Sequence, residues 1–235
     1  RDREDNETIR REFTANVSHE LKTPLTSISG YAELIETGIA KPEDTPDFAR
    51  KIHVEASRMI QLVNDILQLS HLDNVSETGA APAMETVDLL DVARECVERQ
   101  KVKARHSYIS LTYLGESAPV TGRRSLLDEL CQNLCDNAIR YNRPGGKVQI
   151  ITACTRDGHC TLTVKDNGIG IPKEAQTSVF ERFYRVDKSR SKATGGTGLG
   201  LAIVKHIARI HNARIKLDSV VDEGTTITVI FETAS

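Results

Sequence analysis

Tryptophan is absent from this 235-residue sequence, and aromatic side chains make up only 4% of it. That scarcity favours aliphatic helix packing over a β-sandwich core. No apolar run reaches the roughly 20 residues that a membrane-spanning helix needs, and we expect no signal peptide within these residues. The formal net charge is −2, with basic and acidic residues interspersed. We therefore expect no nucleic-acid partner.

The five cysteines are an odd number without metal-like spacing. Cys131 and Cys135 lie one helical turn apart, and Cys154 and Cys160 flank a turn. Zinc ligands would normally be closer together and accompanied by a second pair. We interpret the cysteines as small buried hydrophobic residues of a protein in a reducing compartment.

The N-terminal third has the periodicity of two long amphipathic helices. The first pattern fades at Glu36, with glycine at position 38 just past the predicted helix end. A polar stretch, KPEDTPD, leads to the second. The apolar positions are Phe13, Val17, Leu21, Leu25, Ile28, Leu34 and Ile35, then Phe48, Ile52, Ala56, Met59, Ile60, Val63, Ile66 and Leu67.

A single helical hairpin has too little core to stand alone. Pairing two hairpins into a four-helix bundle supplies the missing core, so we predict a homodimer. The alternative, a hairpin packed on its own second domain, ranks lower. We assign residues 1–74 to the hairpin domain, the small and polar residues 75–84 to a linker, and residues 85–235 to a second domain.

The second domain mixes helical and strand periodicities. Asp157-Gly158 between two apolar runs is a strong hairpin signal. We predict an α+β two-layer sandwich, a mixed sheet with helices on one face. Its expected helices are 87–103, 125–141 and 198–210, and its expected strands are 108–114, 148–153, 160–164, 214–219 and 225–231.

Three segments of the second domain carry candidate chemistry. The first, DNGIG, begins at Asp166 after a strand, although an ordinary Asx-turn would often produce it. The second is a glycine-rich run, residues 195–200, that leads into a helix whose N-terminus favours phosphate. It is neither a Rossmann nor a Walker A sequence. In the third, Asn133 and Asn137 share a helix face, where they could cap backbone or offer oxygens to hydrated Mg²⁺.

Taken in chain order, the asparagine pair, DNGIG and the glycine run resemble the ATP-binding domain of sensor histidine kinases, whose fold is of the GHKL ATPase type. NLCDNAIRY is similar to the family's N box, DNGIG to its G1 box, FERFYR to its F box and TGGTGLGL to its G2 box. DEGTTITVIF is similar to its closing strand, and FTANVSHELKTPL to its H box. Several motifs in the family's order make coincidence very improbable.

The resemblance implies a site for ATP and Mg²⁺. Asn137 would coordinate Mg²⁺ with support from Asn133, and Asp166 would accept a hydrogen bond from the adenine amino group. Gly168 and Gly170 would let the base approach. The further nucleotide-binding positions are Tyr141 near the adenine, Arg140 near the phosphates where the family often has lysine, Arg185, Gly196, Thr197, Gly198, Leu199 and Gly200. Residues 181–194 resemble the mobile ATP lid.

His19 falls opposite the apolar face of its helix, so we expect it to face outward. A zincin HExxH motif is excluded, because position 23 is threonine. The resemblance makes His19 the phosphorylated histidine, Glu20 its base and Thr23 a helper in dephosphorylating a response regulator. Pro24 lacks an N–H group and should bend the helix just after His19.

An ATP-dependent histidine autokinase that passes phosphate to a response-regulator aspartate is thus the function implied. A GHKL-type ATPase is the chief alternative, although such enzymes place a water-activating glutamate where this chain has Asn133. A dimer that binds ATP without catalysis is the other alternative. We also expect the chain to be the cytoplasmic portion of a membrane-anchored sensor with further domains upstream.

Overall fold

The computed structural model describes residues 2–78, 83–187 and 196–232. The chain forms two compact units. The first comprises Arg1–Leu67 with Gly195–Thr197, and the second comprises Gln68–Thr194 with Gly198–Ser235.

Two long helices make up the first unit. Helix α1 spans Asp2–Glu36 and helix α2 spans Thr45–Thr78, and the last turns of α2 are counted with the second unit. Gly38 adopts a φ of 70°, a left-handed conformation that glycine tolerates, just past the end of α1. The Tyr31 and Phe48 rings lie 5.3 Å apart and fasten the two helices near the connecting loop. The predicted hairpin is therefore confirmed.

The predicted linker begins too early in the chain. Residues 75–78 are still helical, because polar residues permit a helix to continue and the first glycine comes only at position 79. Residues 79–82 lie outside the described residues. Helix α1 runs through the buried Pro24 as one helix. The bend expected there stays a prediction.

An apolar stripe remains exposed on α2. It consists of Ile60, Val63 and Leu67, spaced as neighbours along one helix face, and their side chains are 64%, 41% and 63% exposed. We call these three residues the α2 stripe. Large apolar side chains grouped in this way are typical of a surface that another protein covers.

The second unit contains an α+β sandwich. Its elements are β1 Glu85–Asp88, α3 Leu89–His106, β2 Ser110–Gly115, β3 Pro119–Gly122, α4 Arg124–Arg140, β4 Lys147–Cys154, β5 His159–Asp166, a short 3₁₀ helix Lys173–Ala175, α5 Gly200–Ile210, β6 Arg214–Val220 and β7 Gly224–Glu232.

The main sheet has the strand order β2-β4-β5-β7-β6. Strand β2 pairs with β4 in parallel, and the other neighbours are antiparallel, so the sheet is mixed. Alternate residues of its central strands are buried. Together with the apolar sides of α4 and α5 they form a core that includes Ile150, Leu162, Val229, Phe231, Leu130, Leu134, Ile203 and Ile207. This mixed sheet with helices is the fold predicted.

A second, two-stranded sheet was not predicted. Strands β1 and β3 pair antiparallel, and Val87 belongs to β1 rather than to the following helix. Helix α3 starts at Leu89 because the Asp88 carboxylate accepts a hydrogen bond from the Leu90 N–H at 2.9 Å. Four-residue strands carry too little periodicity to be read from a sequence.

The interpretation of all five cysteines as free buried thiols is wrong for two of them. Cys154 and Cys160 form a disulfide. They are direct partners across the β4–β5 hairpin, with Cα atoms 4.1 Å apart, so their sulfurs are brought together by strand pairing. Cys96, Cys131 and Cys135 are free and buried, as predicted.

None of the described helices is both long enough and apolar enough to cross a membrane.

Candidate nucleotide and phosphoacceptor sites

The carboxylate of Asp166 is fixed at the end of β5. Its Oδ1 accepts hydrogen bonds from the N–H groups of Gly168 at 2.8 Å and Thr225 at 3.2 Å. Burial raises the pKa of Asp166 above its ordinary value, although the two N–H groups act in the opposite direction. Because both bonds go to Oδ1, Oδ2 is left as the acceptor for an incoming donor such as an amino group.

The glycines of DNGIG are required by the protein's own backbone. A Cβ atom on Gly168 would lie 2.4 Å from the Tyr141 carbonyl oxygen, and one on Gly170 would lie 2.1 Å from the Val220 carbonyl oxygen. Gly170 also has a φ of 69°. Close backbone packing thus explains both glycines without a ligand. The role that the resemblance gives them, in admitting adenine, stays a prediction.

Helix α4 brings its two asparagines against the start of α5. A Cβ on Gly200 would lie 3.1 Å from Asn133 Oδ1 and 3.8 Å from Asn137 Nδ2. The amide nitrogen of Asn133 donates to the Glu129 carbonyl at 3.0 Å, which leaves Oδ1 directed at the α5 N-terminus. The structure therefore assembles two predicted segments, the asparagine pair and the glycine loop, at one place.

This place has the chemistry of an anion site. Helix α5 begins without a side-chain cap and without an acidic residue in its first turn, so its terminal N–H groups can serve a phosphate. The Nη1 atom of Arg140 is buried and has no hydrogen-bond partner among the described residues. A polyphosphate would satisfy the α5 N–H groups, and Arg140, about one turn after Asn137 on α4, offers a cation for it. Asparagine oxygens, phosphates and water are also ligands that Mg²⁺ accepts, so ATP and Mg²⁺ fit these residues.

The other residues that are predicted to bind the nucleotide lie in different surroundings. Tyr141 caps the C-terminus of α4, and its carbonyl accepts a hydrogen bond from the Ile169 N–H at 3.1 Å. The side chain of Leu199 is fully buried in the core, so only its backbone can face a ligand. The Nε atom of Arg185 would lie 3.3 Å from a Cβ on Gly198, which places this arginine beside the glycine loop.

Gly196 and Thr197 belong to the first unit rather than the second. The hydroxyl of Thr197 donates to the buried Asp65 carboxylate at 2.6 Å. In this structure that hydroxyl therefore serves a protein contact. The predicted lid, residues 181–194, is described only up to residue 187, and the rest of it lies outside the described residues.

The predicted phosphoacceptor lies on α1 of the first unit. His19 is exposed, which confirms its outward position, and Glu20 beside it is half-buried. The Thr23 hydroxyl donates to the His19 carbonyl at 3.3 Å. Such a bond to the preceding turn is common for threonine in helices, and it places the hydroxyl one turn from the histidine.

Two contacts within the second unit were not predicted from the sequence. The carboxylate of Asp73, near the end of α2, accepts two hydrogen bonds from Arg182, at 2.9 and 3.1 Å. His206 Nε2 lies 3.5 Å from the same carboxylate, and burial lowers the pKa of this histidine. Only the position of Arg182 within FERFYR signalled importance. Nothing in the sequence pointed to Asp73 as its partner.

Comparison with known families identifies both parts of the chain. Residues 9–75 match the His Kinase A (phospho-acceptor) domain, and residues 122–235 match the family described as histidine kinase-, DNA gyrase B-, and HSP90-like ATPase. These matches contain His19 in the first case and the asparagine, DNGIG and glycine-loop segments in the second.

Individual relatives agree with these matches. The sensor-like histidine kinase SenX3 of Mycolicibacterium smegmatis is 43% identical over 227 residues, which are 95% of this chain and 57% of SenX3. The chain thus spans just over half of that relative's length. The mycobacterial sensor histidine kinase MprB structure is 32% identical, with a TM-score of 0.55, and the match covers 64% of this chain and 97% of MprB.

A third comparison concerns the fold alone. The crystal structure of histidine kinase ThkA in complex with the response regulator protein TrrA is 24% identical and has a TM-score of 0.77. The match covers 99% of this chain and 64% of that one. The two domain matches and the sequence relatives show that the chain belongs to the sensor histidine kinases and carries their catalytic core.

Proposed function

We propose that the chain is an ATP-dependent histidine autokinase that phosphorylates His19, with ATP and Mg²⁺ bound in the second unit. The observation that carries the proposal is an exposed His19 with a carboxylate next to it, in a chain that also contains a site suited to a nucleotide. Asp166 would accept from adenine. Arg140 and the α5 N-terminus would hold the phosphates, and Asn137 with Asn133 would hold Mg²⁺.

The proposed transfer needs little from the protein beyond positioning and charge. A ring nitrogen of His19 attacks the γ-phosphorus, the bond to the bridging oxygen breaks, and ADP leaves with the electron pair. The proton of the other ring nitrogen passes to Glu20, so the imidazole does not keep a positive charge. Bound Mg²⁺ would supply neutralisation of the charge that spreads over the phosphoryl oxygens.

Hydrolysis of ATP is a less favourable alternative for these residues. An amide at position 133 cannot remove a proton from water, and its nitrogen is already bonded to the Glu129 carbonyl. A chain that only binds ATP would have no use for an exposed histidine beside a carboxylate. The fate of a label on the γ-phosphate of ATP distinguishes both alternatives from an autokinase.

The test is incubation with γ-labelled ATP and Mg²⁺. We expect acid-labile, alkali-stable label on the protein, abolished in His19→Gln. His53→Gln is the matched control, because His53 is an exposed histidine on the other hairpin helix and should leave labelling unchanged. Free phosphate without labelled protein would instead identify an ATPase, and no turnover would identify a non-catalytic nucleotide binder.

A response-regulator phosphatase activity is the finer part of the proposal. It rests on Thr23, whose hydroxyl lies one helical turn from His19. To orient a water, this hydroxyl would exchange its bond to the His19 carbonyl for one to the water. Thr23→Ala should therefore keep autophosphorylation and lose dephosphorylation of the regulator. Unchanged dephosphorylation would contradict the assignment.

Two partners follow from the family. The first is a second copy of the chain, because the exposed α2 stripe would be covered in a four-helix bundle. The second is the receiver domain of a response regulator, as in the ThkA complex with TrrA. Upstream sensor domains, a membrane anchor and a cytoplasmic location stay predictions.

A further inference from the structure

An ion pair joins the two helices of the hairpin at the residue next to His19. The guanidinium Nη2 of Arg58, on α2, lies 3.5 Å from Glu20 Oε2 on α1. The Arg58 side chain is only 11% exposed, and that of Glu20 is 25% exposed. Water therefore screens this pair less than it screens an ion pair on an open surface.

Arg58 also has a carboxylate neighbour on its own helix. Its Nη1 lies 4.0 Å from Glu55 Oε2, three residues earlier on α2. The guanidinium thus stands between Glu55 and Glu20 and faces one with each terminal nitrogen. A planar fork suits this arrangement, because its nitrogens point in fixed directions and share one delocalised charge.

The distance to Glu20 has a chemical meaning. A charge-assisted hydrogen bond of full strength measures about 2.7–2.9 Å between nitrogen and oxygen, and a carboxylate bound that tightly is a poor proton acceptor. At 3.5 Å the guanidinium attracts and orients the carboxylate without holding it in so strong a bond. The Glu20 carboxylate is thereby directed toward α2 by the charge of Arg58.

We propose that Arg58 is a positioning residue, which holds the Glu20 carboxylate beside His19 so that it can take the imidazole proton during phosphoryl transfer. This inference rests on the autokinase function proposed above. Arg58 itself touches neither ATP nor the reacting nitrogen in this mechanism. Its effect passes through Glu20, and that distinguishes it from an ion pair that only stabilises the hairpin.

The test compares Arg58→Gln, Arg58→Lys and wild type in the rate of His19 labelling at several ATP concentrations. We expect Arg58→Gln to lower kcat about tenfold to a hundredfold, within the range of general-base effects, and to leave KM for ATP unchanged. Arg58→Lys should recover much of the lost rate because it restores the charge. Arg50→Gln is the matched control, since Arg50 is an α2 arginine that is 71% exposed and pairs with Asp47.

A double-mutant cycle tests whether the effect passes through Glu20. In a Glu20→Gln background, Arg58→Gln should produce little further loss, because the group that it positions is gone. Thermal melting followed by circular dichroism accompanies each variant. If Arg58→Gln does not fold, Arg58→Lys carries the test, with wild-type melting and a kcat below wild type as the expected result.

Three outcomes would overturn the inference. They are a wild-type kcat in Arg58→Gln, a raised KM for ATP with unchanged kcat, and an equal loss of rate in the Glu20→Gln background. Each leaves the autokinase proposal intact as long as the wild-type chain is labelled on His19. Absence of label from the wild-type chain would refute the autokinase itself.

Discussion

The imidazole of His211 links the end of α5 to the start of α4. Its Nδ1 donates to the Ile207 carbonyl at 2.8 Å, and its Nε2 accepts from the backbone N–H of Arg123 at 3.0 Å. Because a carbonyl can only accept and an N–H can only donate, these partners specify the neutral imidazole. The Nε2 atom thereby satisfies the backbone N–H of Arg123, the residue just before α4. Helix α4 carries both candidate Mg²⁺ ligands.

Acid should destabilise the second unit through this histidine. Burial lowers the pKa of His211 below its ordinary value of 6.5. The unfolded chain therefore binds the proton first, and stability is present above pH 6.5 and is lost as the pH falls below it. Urea unfolding between pH 7.5 and 5.5 measures this loss. His206, whose pKa burial also lowers, contributes in the same direction.

Replacing His211 shows how much of the loss of stability in acid is due to this histidine. His211→Ala should cost roughly 1–3 kcal/mol at pH 7.5, because the Arg123 N–H loses its acceptor, and should flatten the pH dependence. The control is His106→Gln at an exposed position on α3, which should keep the wild-type pH dependence. A variant at position 211 with an undiminished acid loss would contradict the assignment.

ATP affinity should depend on the Asp166 carboxylate. Asp166→Asn replaces a charged acceptor with an amide and should weaken ATP binding by about tenfold to a hundredfold, corresponding to about 1.5–3 kcal/mol for a hydrogen bond to a charged group. Isothermal titration calorimetry measures the Kd. Asp218→Asn, at an exposed position on β6, should bind as wild type does. Equal affinity in the two variants would remove Asp166 from the site.

The pH dependence of that affinity has a definite sign. Because burial raises the pKa of Asp166, its carboxylate becomes protonated at a higher pH than an ordinary aspartate does. As the solution is acidified, ATP binding should therefore begin to weaken at a pH higher than the range in which an ordinary aspartate titrates. Binding that stayed constant down to that range would show that the ionised form is not needed.

Gly170 should tolerate substitution less well than another glycine of the same backbone class. Gly170→Ala combines a φ of 69° with a clash against the Val220 carbonyl, so we expect a loss of about 2–4 kcal/mol in unfolding free energy. Gly145→Ala has a φ of 82° but no atom within 4 Å of its Cβ, so it should cost only about 1–2 kcal/mol. Equal losses in urea unfolding would mean that the clash is relieved elsewhere.

The α2 stripe should govern self-association. Charge placed in an apolar contact opposes assembly, so Ile60→Asp should raise the dimer dissociation constant at least about a hundredfold. Sedimentation velocity over a range of concentrations measures it. Ile39→Asp is the control, because Ile39 is 71% exposed in the loop between the helices and lies outside the stripe. A dimer that survived Ile60→Asp would place the interface elsewhere.

The elements that were predictable from the sequence are those with strong local signals. Helical periodicity and a terminal glycine predicted α1, and Asp157-Gly158 predicted the β4–β5 hairpin. Both elements were predictable because each is determined by residues that are neighbours in the sequence. The outward position of His19 followed from the same periodicity. The asparagine pair and the glycine loop were recognised separately by their residue types and order.

What could not be predicted is mostly contact between residues far apart in the chain. Arg58 with Glu20, His211 with Arg123, and Asp73 with Arg182 come together only through tertiary packing, and none of these pairs has a local pattern. The Cys154–Cys160 bond was missed for a different reason. Its spacing was noticed, but strand register decides whether two cysteines face each other.

The close backbone contacts of Gly168 and Gly170 have a consequence for evolution. Selection for folding alone would preserve both glycines, since a side chain at either position would strike a carbonyl. A descendant of this chain that abandoned ATP would therefore keep its glycines and lose first the residues to which we assign the adenine acceptor and the Mg²⁺ ligand, Asp166 and Asn137. Degenerate members of such a lineage are better recognised by those two positions than by the glycine pattern.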